Sequence, residues 1–265
     1  MARRTRLSTA AAVATLLLWS LGALAQDGWT TLAPGLELGE FADGIHVLRI
    51  DVGAWELVLL SASAEGEGRL RTARGWCEDH GAVAAVNASM YQTDYLSSVS
   101  LMRMAGHVNN PRLSKDNTVL VCDPVDPAEP PVRIVDRTCE DLDAALRAYR
   151  TQVQGIRMLS CHGNNVWDQQ PRRHSTAAVG LDGAGRLLFL FGARALSTHD
   201  FIERLRALPL DLVRCMYVEG GPPAQLYVGV GGARHEFVGA VAAGLRMGEA
   251  SPVPNVLAIR ARTGR

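Results

Sequence analysis

Lysine is almost absent from this 265-residue chain: Lys115 is the only one among 27 basic side chains. The 27 acidic residues bring the formal net charge to zero, which removes any electrostatic case for nucleic acid or an anionic membrane surface as partner. Several catalytic signatures are missing. No G-x-S-x-G elbow, H-E-x-x-H, P-loop or G-x-G-x-x-G occurs, so an ordinary serine hydrolase, a zinc protease and a nucleotide binder are unsupported. The five cysteines include no C-x-x-C pair, and the seven histidines include no i, i+4 pair, so neither a metal nor a cofactor is expected. Beyond the N-terminus no apolar run is long enough to cross a membrane.

What is present begins with an export pattern. Arg3, Arg4 and Arg6 precede an apolar run from Ala10 to Leu21, and Ala23-Leu24-Ala25 follows as a small-x-small cleavage site. Residues 1–25 are therefore expected to be a signal peptide and residues 26–265 one exported domain, periplasmic or extracellular. With no repeat and no long linker, two small domains are the weaker alternative. Export permits disulfides. Cys122 and Cys139 flank the Pro-rich stretch Asp123–Pro131 and are the expected loop staple, and the odd cysteine count leaves at least one thiol unpaired within the chain.

Runs rich in Val, Ile and Leu predict strands at 45–51 and 55–61, with a turn at 51–54. A helix is expected over 69–80, stopped by Gly81. A short strand at 82–86 delivers Asn87 at its end, and further strands are expected at 101–104 and 119–122. Capping-box patterns at Thr138–Asp141 and Ser197–Asp200 predict helices to about 150 and 208. Hairpins are expected for 177–181 with 186–191 and for 226–230 with 234–238, followed by a last strand at 256–259. Strand 212–218 ends in Glu219-Gly220-Gly221. The sum is a mixed α/β (α+β) domain: one large mixed sheet with helices packed on it.

Two segments have the chemistry of a site. Val86 to Asp94 is a strand exit bearing Asn87, Tyr91 and Asp94, and strand exits are where sheets gather ligand groups. Read alone, it better describes a polar exit whose asparagine bonds local backbone. In the second segment, Met216 to Gln225, a carboxylate and two glycines end an apolar strand. Those glycines could bring backbone N–H groups close to a ligand, or simply form a tight turn beside a solvated glutamate.

Four segments occur in the order and spacing of the phosphodiester glycosidase domain, the family of the enzyme that uncovers mannose 6-phosphate tags. They are Asn87-Ala88-Ser89-Met90-Tyr91, Ser175-Thr176-Ala177-Ala178-Val179-Gly180, the helix from Ser197, and Tyr217-Val218-Glu219-Gly220-Gly221. The resemblance covers about residues 82–259. Glu219 stands where the family usually has Asp, Pro222 and Pro223 where Gly and Ser are usual, and Thr176 where Arg is usual, which marks a divergent branch.

The resemblance implies a mixed α/β fold and hydrolysis of a glycosyl phosphodiester. That reaction passes through an oxocarbenium-like state that a carboxylate stabilises or supplies with an activated water. Glu219 is the expected carboxylate and Asp94 the second candidate. Gly220 and Gly221 are expected to offer N–H groups, and Arg172, Arg173 and His174 to hold phosphate. Asn87, Tyr91, Thr176 and Gln225 complete the expected substrate-binding set, with His107, Asn109 and Asn110 expected to contact sugar hydroxyls. His199 and Asp200 read better as helix-cap residues. The expected substrate is a carbohydrate or glycosyl phosphate of envelope or extracellular glycans. A non-catalytic glycan- or envelope-binding module on the same fold is the rival, and a purely structural exported domain is the third reading.

Overall fold

The computed structural model describes residues 28–240 and 249–262, so the expected signal peptide lies outside the described residues. In chain order the first elements are β1 (Trp29–Ala33), β2 (Leu36–Phe41), β3 (Ile45–Ile50), β4 (Trp55–Ser61), α1 (Ala73–His80), β5 (Ala84–Asn87), β6 (Met102–Met104) and β7 (His107–Asn110). Then come β8 (Thr118–Pro124), β9 (Val132–Asp136), α2 (Leu142–Ala148), β10 (Tyr149–Arg157), β11 (His174–Asp182) and β12 (Leu187–Leu196). The last are α3 (Thr198–Ala207), β13 (Leu212–Gly220), β14 (Gln225–Val230), β15 (Ala233–Val238) and β16 (Asn255–Ala261).

The strands form two sheets, and this corrects the expectation of one. An 11-stranded sheet runs β1-β2-β3-β12-β11-β13-β10-β6-β7, with β8 and β9 branching from β10; a 5-stranded sheet runs β15-β14-β5-β16-β4. Every pairing among the described strands is antiparallel. The inner faces meet in the main core, where Leu38, Leu48, Phe189, Val179 and Met216 of the larger sheet pack on Leu57, Leu59, Val86, Leu226 and Leu257 of the smaller. β4 shows the cause directly: its odd-numbered positions 55, 57, 59 and 61 are buried and the even ones half-buried, the period of a sheet with one face inward.

Among the described residues three helices, each short, cover parts of the outer faces of these sheets. α3 sets Phe201, Ile202 and Leu205 against Leu188, Leu190 and Ala178 of the larger sheet. α1 sets Trp76 and Cys77 on Ala85, Tyr227 and Ala258 of the smaller. β11 is therefore buried along its whole length, sandwiched between core and helix. α3 starts as expected, with Ser197 Oγ accepting from Asp200 N, and α1 stops as expected at Gly81 in the left-handed conformation.

The helix expected from Thr138 begins later. Its N-cap is Asp141, whose side chain accepts from Ala144 N, because Thr138 Oγ1 is drawn back to Asp136 at 2.7 Å. It also ends at Ala148, because Tyr149 is already paired with Pro124 as the start of β10. The cysteine expectation is corrected too: the disulfide joins Cys139 to Cys161. Cys122 lies in the inter-sheet core, out of reach of any exposed turn. The turns carrying Cys139 and Cys161 are brought together by Arg157, whose Nη1 donates to Asp136 Oδ2 at 2.9 Å and Thr138 Oγ1 at 2.8 Å. Cys77, Cys122 and Cys215 remain as buried thiols, and burial pushes those of Cys77 and Cys122 up to about 12.

Candidate active site

The site is made where β13 leaves the larger sheet. Met216 and Val218 face the inter-sheet core, while Cys215 and Tyr217 face the outer cluster beneath α3. Simple alternation would send residue 219 outward with Tyr217. The pairing with β11 prevents this: Ala178 lies opposite Tyr217 and Ala177 opposite Glu219, leaving Val218 as an extra residue in the strand. This bulge aligns Glu219 with Ala177, a residue of the inner core, and re-aiming a side chain in this way is what bulges do at site edges.

Glu219 is thereby buried, at 8% exposure. Its Oε1 accepts from Gly220 N at 2.9 Å. Burial pushes its carboxyl up to about 7, against the smaller opposing pull of that N–H. A carboxyl poised near neutrality exchanges protons in either direction at physiological pH, which suits general acid–base work.

The two glycines serve the turn. A Cβ on Gly220 would overlap the Tyr217 hydroxyl and fall 2.6 Å from His174 Cε1, so only glycine lets those side chains close over the strand. Gly221 has φ 73° and donates its N–H to Ser175 O at 2.8 Å. Both N–H groups expected to face a ligand are thus engaged within the protein.

Asn87, at the end of β5 in the other sheet, fastens the turn to its own strand. Its Oδ1 accepts from Gln225 N at 2.7 Å and its Nδ2 donates to Pro223 O at 2.9 Å. Gln225 continues the chain of bonds: its Oε1 accepts from Ala73 N at 2.9 Å, at the start of α1, and its Nε2 donates to Ser251 O. Glu219 and Asn87 therefore belong to one construction that ties the two sheets together at one end. Asn87 and Gln225 act there through backbone groups of the loop they hold.

His174, Thr176 and Tyr217 line the same end. His174 is buried, and its Nδ1 lies 2.8 Å from Ser175 O. A carbonyl can only accept, so Nδ1 carries the proton and Nε2 is the basic nitrogen. The His174 ring stands edge-on to Tyr217 at 6.3 Å. Thr176 is buried opposite Gly220. Burial pushes the Tyr217 hydroxyl well up, as does the charge of Glu219, while Arg172 pulls it down. Arg172 is thus within electrostatic reach of the site, from the exposed approach to β11; Arg173 pairs instead with Asp200 at 3.8 Å. Tyr91 is half-buried, raised by burial and then by Glu219, and lies 5.8 Å from Tyr95 ring to ring.

Asp94, His107 and Asn109 form a different cluster. Asp94 is exposed, and its Oδ1 accepts from Leu96 N and Ser97 N at 2.9 Å each. The Ser97 side chain, then those N–H groups, hold its carboxyl below the usual range. Asn109 Nδ2 donates to Ser63 Oγ at 2.8 Å and Leu96 O at 3.0 Å, and His107 Nε2 lies 2.9 Å from Ser63 Oγ. Asn109 thus fastens loop 94–98 to the end of β4, His107 bonds the same serine, and Asp94 braces the loop from within.

Two residues of the site's surroundings were not singled out from sequence. Tyr217 had a signal, a hydroxyl inside an otherwise apolar strand. Trp167 had none: its ring reaches Tyr217 at 5.6 Å only because the segment after β10 folds back over the sheet. As for metals, the one close grouping of potential ligand atoms among the described residues is Cys139, Cys161 and His162, and its two sulfurs are joined to each other.

The sequence profile of the phosphodiester glycosidase family matches residues 80–260. Among solved structures the chain is similar to the catalytic domain of zebrafish N-acetylglucosamine-1-phosphodiester alpha-N-acetylglucosaminidase, auto-inhibited by its pro-peptide. The TM-score is 0.59 at 11% identity, over 86% of this chain and 82% of that one. It is also similar to a hypothetical protein from Synechocystis, with a TM-score of 0.51 at 13% identity, over 88% of this chain and 61% of that one. At such identities these likenesses show a shared fold. No curated protein matches the chain. Because the profile matches well over half of its length, with Asn87, Thr176 and Glu219 inside the matched span, the chain belongs to the phosphodiester glycosidase family.

Proposed function

We propose that the protein is an exported hydrolase, one domain over residues 26–265, that removes a sugar from a glycosyl phosphodiester of envelope or extracellular glycans. The observation that carries this reading is Glu219: a buried carboxyl with a pKa of about 7, aimed by a bulge at the end of the sandwich and held there from the opposite sheet.

In the ionised form Glu219 takes a proton from water as that water attacks the anomeric carbon, and its charge offsets the oxocarbenium character that develops there. The departing phosphate monoester is a fair leaving group, so strong protonation of its oxygen is not needed. Arg172 and His174 face the phosphate side in this reading, Arg172 supplying positive charge there.

The test is release of free sugar from a panel of sugar-1-phosphodiesters. Wild type should turn over at least one, and Glu219→Gln should lose about 100-fold or more in kcat, in the range set by loss of an acid–base group. A second reading, a glycan-binding module without turnover, is favoured by Thr176, which puts a short neutral side chain at the position of the family arginine. Ligand affinity unchanged in Glu219→Gln, with no turnover by either protein, would select that reading.

A further inference from the structure

Beside the site, on the outer face of the larger sheet, lies a cleft of about 440 Å³ lined by Lys115, Asp116, Asn117, Ile156, Arg157 and Val166–Asp168. Small-molecule sites typically span roughly 300–1,000 Å³. Two contacts join the cleft to the site: Ile156 is the cross-strand partner of Tyr217, and the Trp167 ring lies 5.6 Å from that of Tyr217. We propose that this cleft is a binding subsite for an uncharged sugar ring, which Trp167 stacks against. Its place as the leaving-group side of the substrate rests on the hydrolase reading.

Trp167 is fixed before any ligand arrives. Its Nε1 donates to Arg157 O at 2.7 Å and its backbone N to Asn165 Oδ1 at 3.0 Å. Asn165 in turn donates to Glu203 Oε1 of α3 at 2.9 Å, and the Cys139–Cys161 disulfide fastens the other end of the segment. With the indole N–H engaged, what the residue offers a ligand is its apolar face, held at little further entropic cost.

The polar groups around that face decide the ligand's charge. Arg157 pairs through Nη1 with Asp136, outside the cleft, and its buried Nε has no hydrogen-bond partner. The lining's two cations, Lys115 and Arg157, are matched by two carboxylates, Asp116 and Asp168, so the lining as a whole does not select for an anion. Hydroxyl groups suit the lining better, since each both donates and accepts. Asp116 Oδ2 already accepts from Ser114 Oγ, which leaves Oδ1 as an acceptor, and Asn117 Oδ1 accepts from Arg137, which leaves its Nδ2 as a donor. Lys115 and Asp168 are exposed at the rim and add one donor and one acceptor.

The experiment has a binding arm and a kinetic arm, on the intact protein. Saturation-transfer NMR with methyl α-glucoside, methyl α-mannoside and methyl α-galactoside should detect binding of at least one to wild type. Trp167→Ala should weaken it about tenfold, the loss expected when an aromatic stacking face is removed, and exposed Asp168→Ala should weaken it with no risk to folding. In kinetics, Trp167→Ala should raise KM for a diester whose leaving group is a sugar phosphate several-fold more than for a methyl phosphate diester. No hexoside binding to wild type, binding undiminished in both variants, or displacement of the hexoside by inorganic phosphate would overturn the inference. The two proposals fail separately. Hexoside binding through Trp167 without hydrolysis of any diester defeats the hydrolase reading alone. Hydrolysis lost in Glu219→Gln, with Trp167→Ala slowing both diesters equally, defeats the sugar cleft alone.

Discussion

Replacing Glu219 with glutamine should stabilise the protein at high pH and leave it unchanged at low pH. The carboxyl moves from 4.5 to about 7 on folding, chiefly because burial disfavours its charge. Each pH unit between those values is worth ~1.4 kcal/mol, so ionised Glu219 costs the folded state about 3 kcal/mol. The sign follows from proton binding. Below pH 4.5 both folded and unfolded chains carry the proton and there is no penalty. Between 4.5 and about 7 only the folded chain keeps it, so stability falls steadily as pH rises through that window. Above about 7 both forms are ionised and the full penalty is present. Glutamine has the same shape and can still accept from Gly220 N, but it never ionises. Urea unfolding of both proteins at pH 4.5, 6 and 8 should therefore give curves that coincide at the first pH and separate by about 3 kcal/mol at the last. A constant difference across the three, or a wild type that gains on the variant as pH rises, would refute the assignment of a desolvated carboxyl. The rate should show the same pKa: with Glu219 acting as base, kcat/KM rises with pH and levels off above about 7.

Gly220→Ala should cost roughly 1–3 kcal/mol of stability and most of the activity, because its methyl overlaps the Tyr217 hydroxyl and crowds His174. Adding Tyr217→Phe removes that oxygen, so thermal melts of the double variant should recover part of the loss. Asn87→Ala leaves Gln225 N without its acceptor and Pro223 O without its best donor. It should cost about 1–3 kcal/mol for the buried N–H alone and loosen the Glu219 turn, readable as a lowered melting temperature together with a lowered kcat. Reducing Cys139–Cys161, which closes a loop of sequence separation 22, should cost roughly 3 kcal/mol in chemical denaturation. A thiol reagent should find Cys77, Cys122 and Cys215 unreactive until the chain unfolds, since burial keeps them protonated.

Elements governed by local rules were legible in the residues. β4 announced itself by a Leu- and Val-rich run after a turn, α3 by the Ser197 cap, and the β14–β15 hairpin by Gly231-Gly232 between its two strands. β10 was not legible, and its failure has a physical cause. Gln152 and Gln154 are fully buried in it, where a core strand should show apolar residues. They are tolerated because each side chain bonds backbone: Gln152 Nε2 donates to Tyr149 O, and Gln154 accepts from Ser114 N and donates to Asp116 O. Missing β10 hid the disulfide as well, since that strand carries the chain from the side of Cys139 to Cys161. It also hid the second sheet boundary, because a strand's sheet is chosen by partners far along the chain.

For the site, the residues alone determined that a carboxylate and two glycines end one strand, that an asparagine ends another, and that their order matches a known family. Only the tertiary structure decided that they meet. Asn87 and Gln225 are 138 positions apart, and nothing in either segment encodes the other. The same holds for the charge on Glu219. Its identity as an acid is written in the chain, but its pKa depends on burial, and its burial depends on a bulge that exists only in the pairing of β13 with β11. Hydrogen-bond register and solvent exclusion are properties of assembled neighbours, which no single stretch of sequence contains.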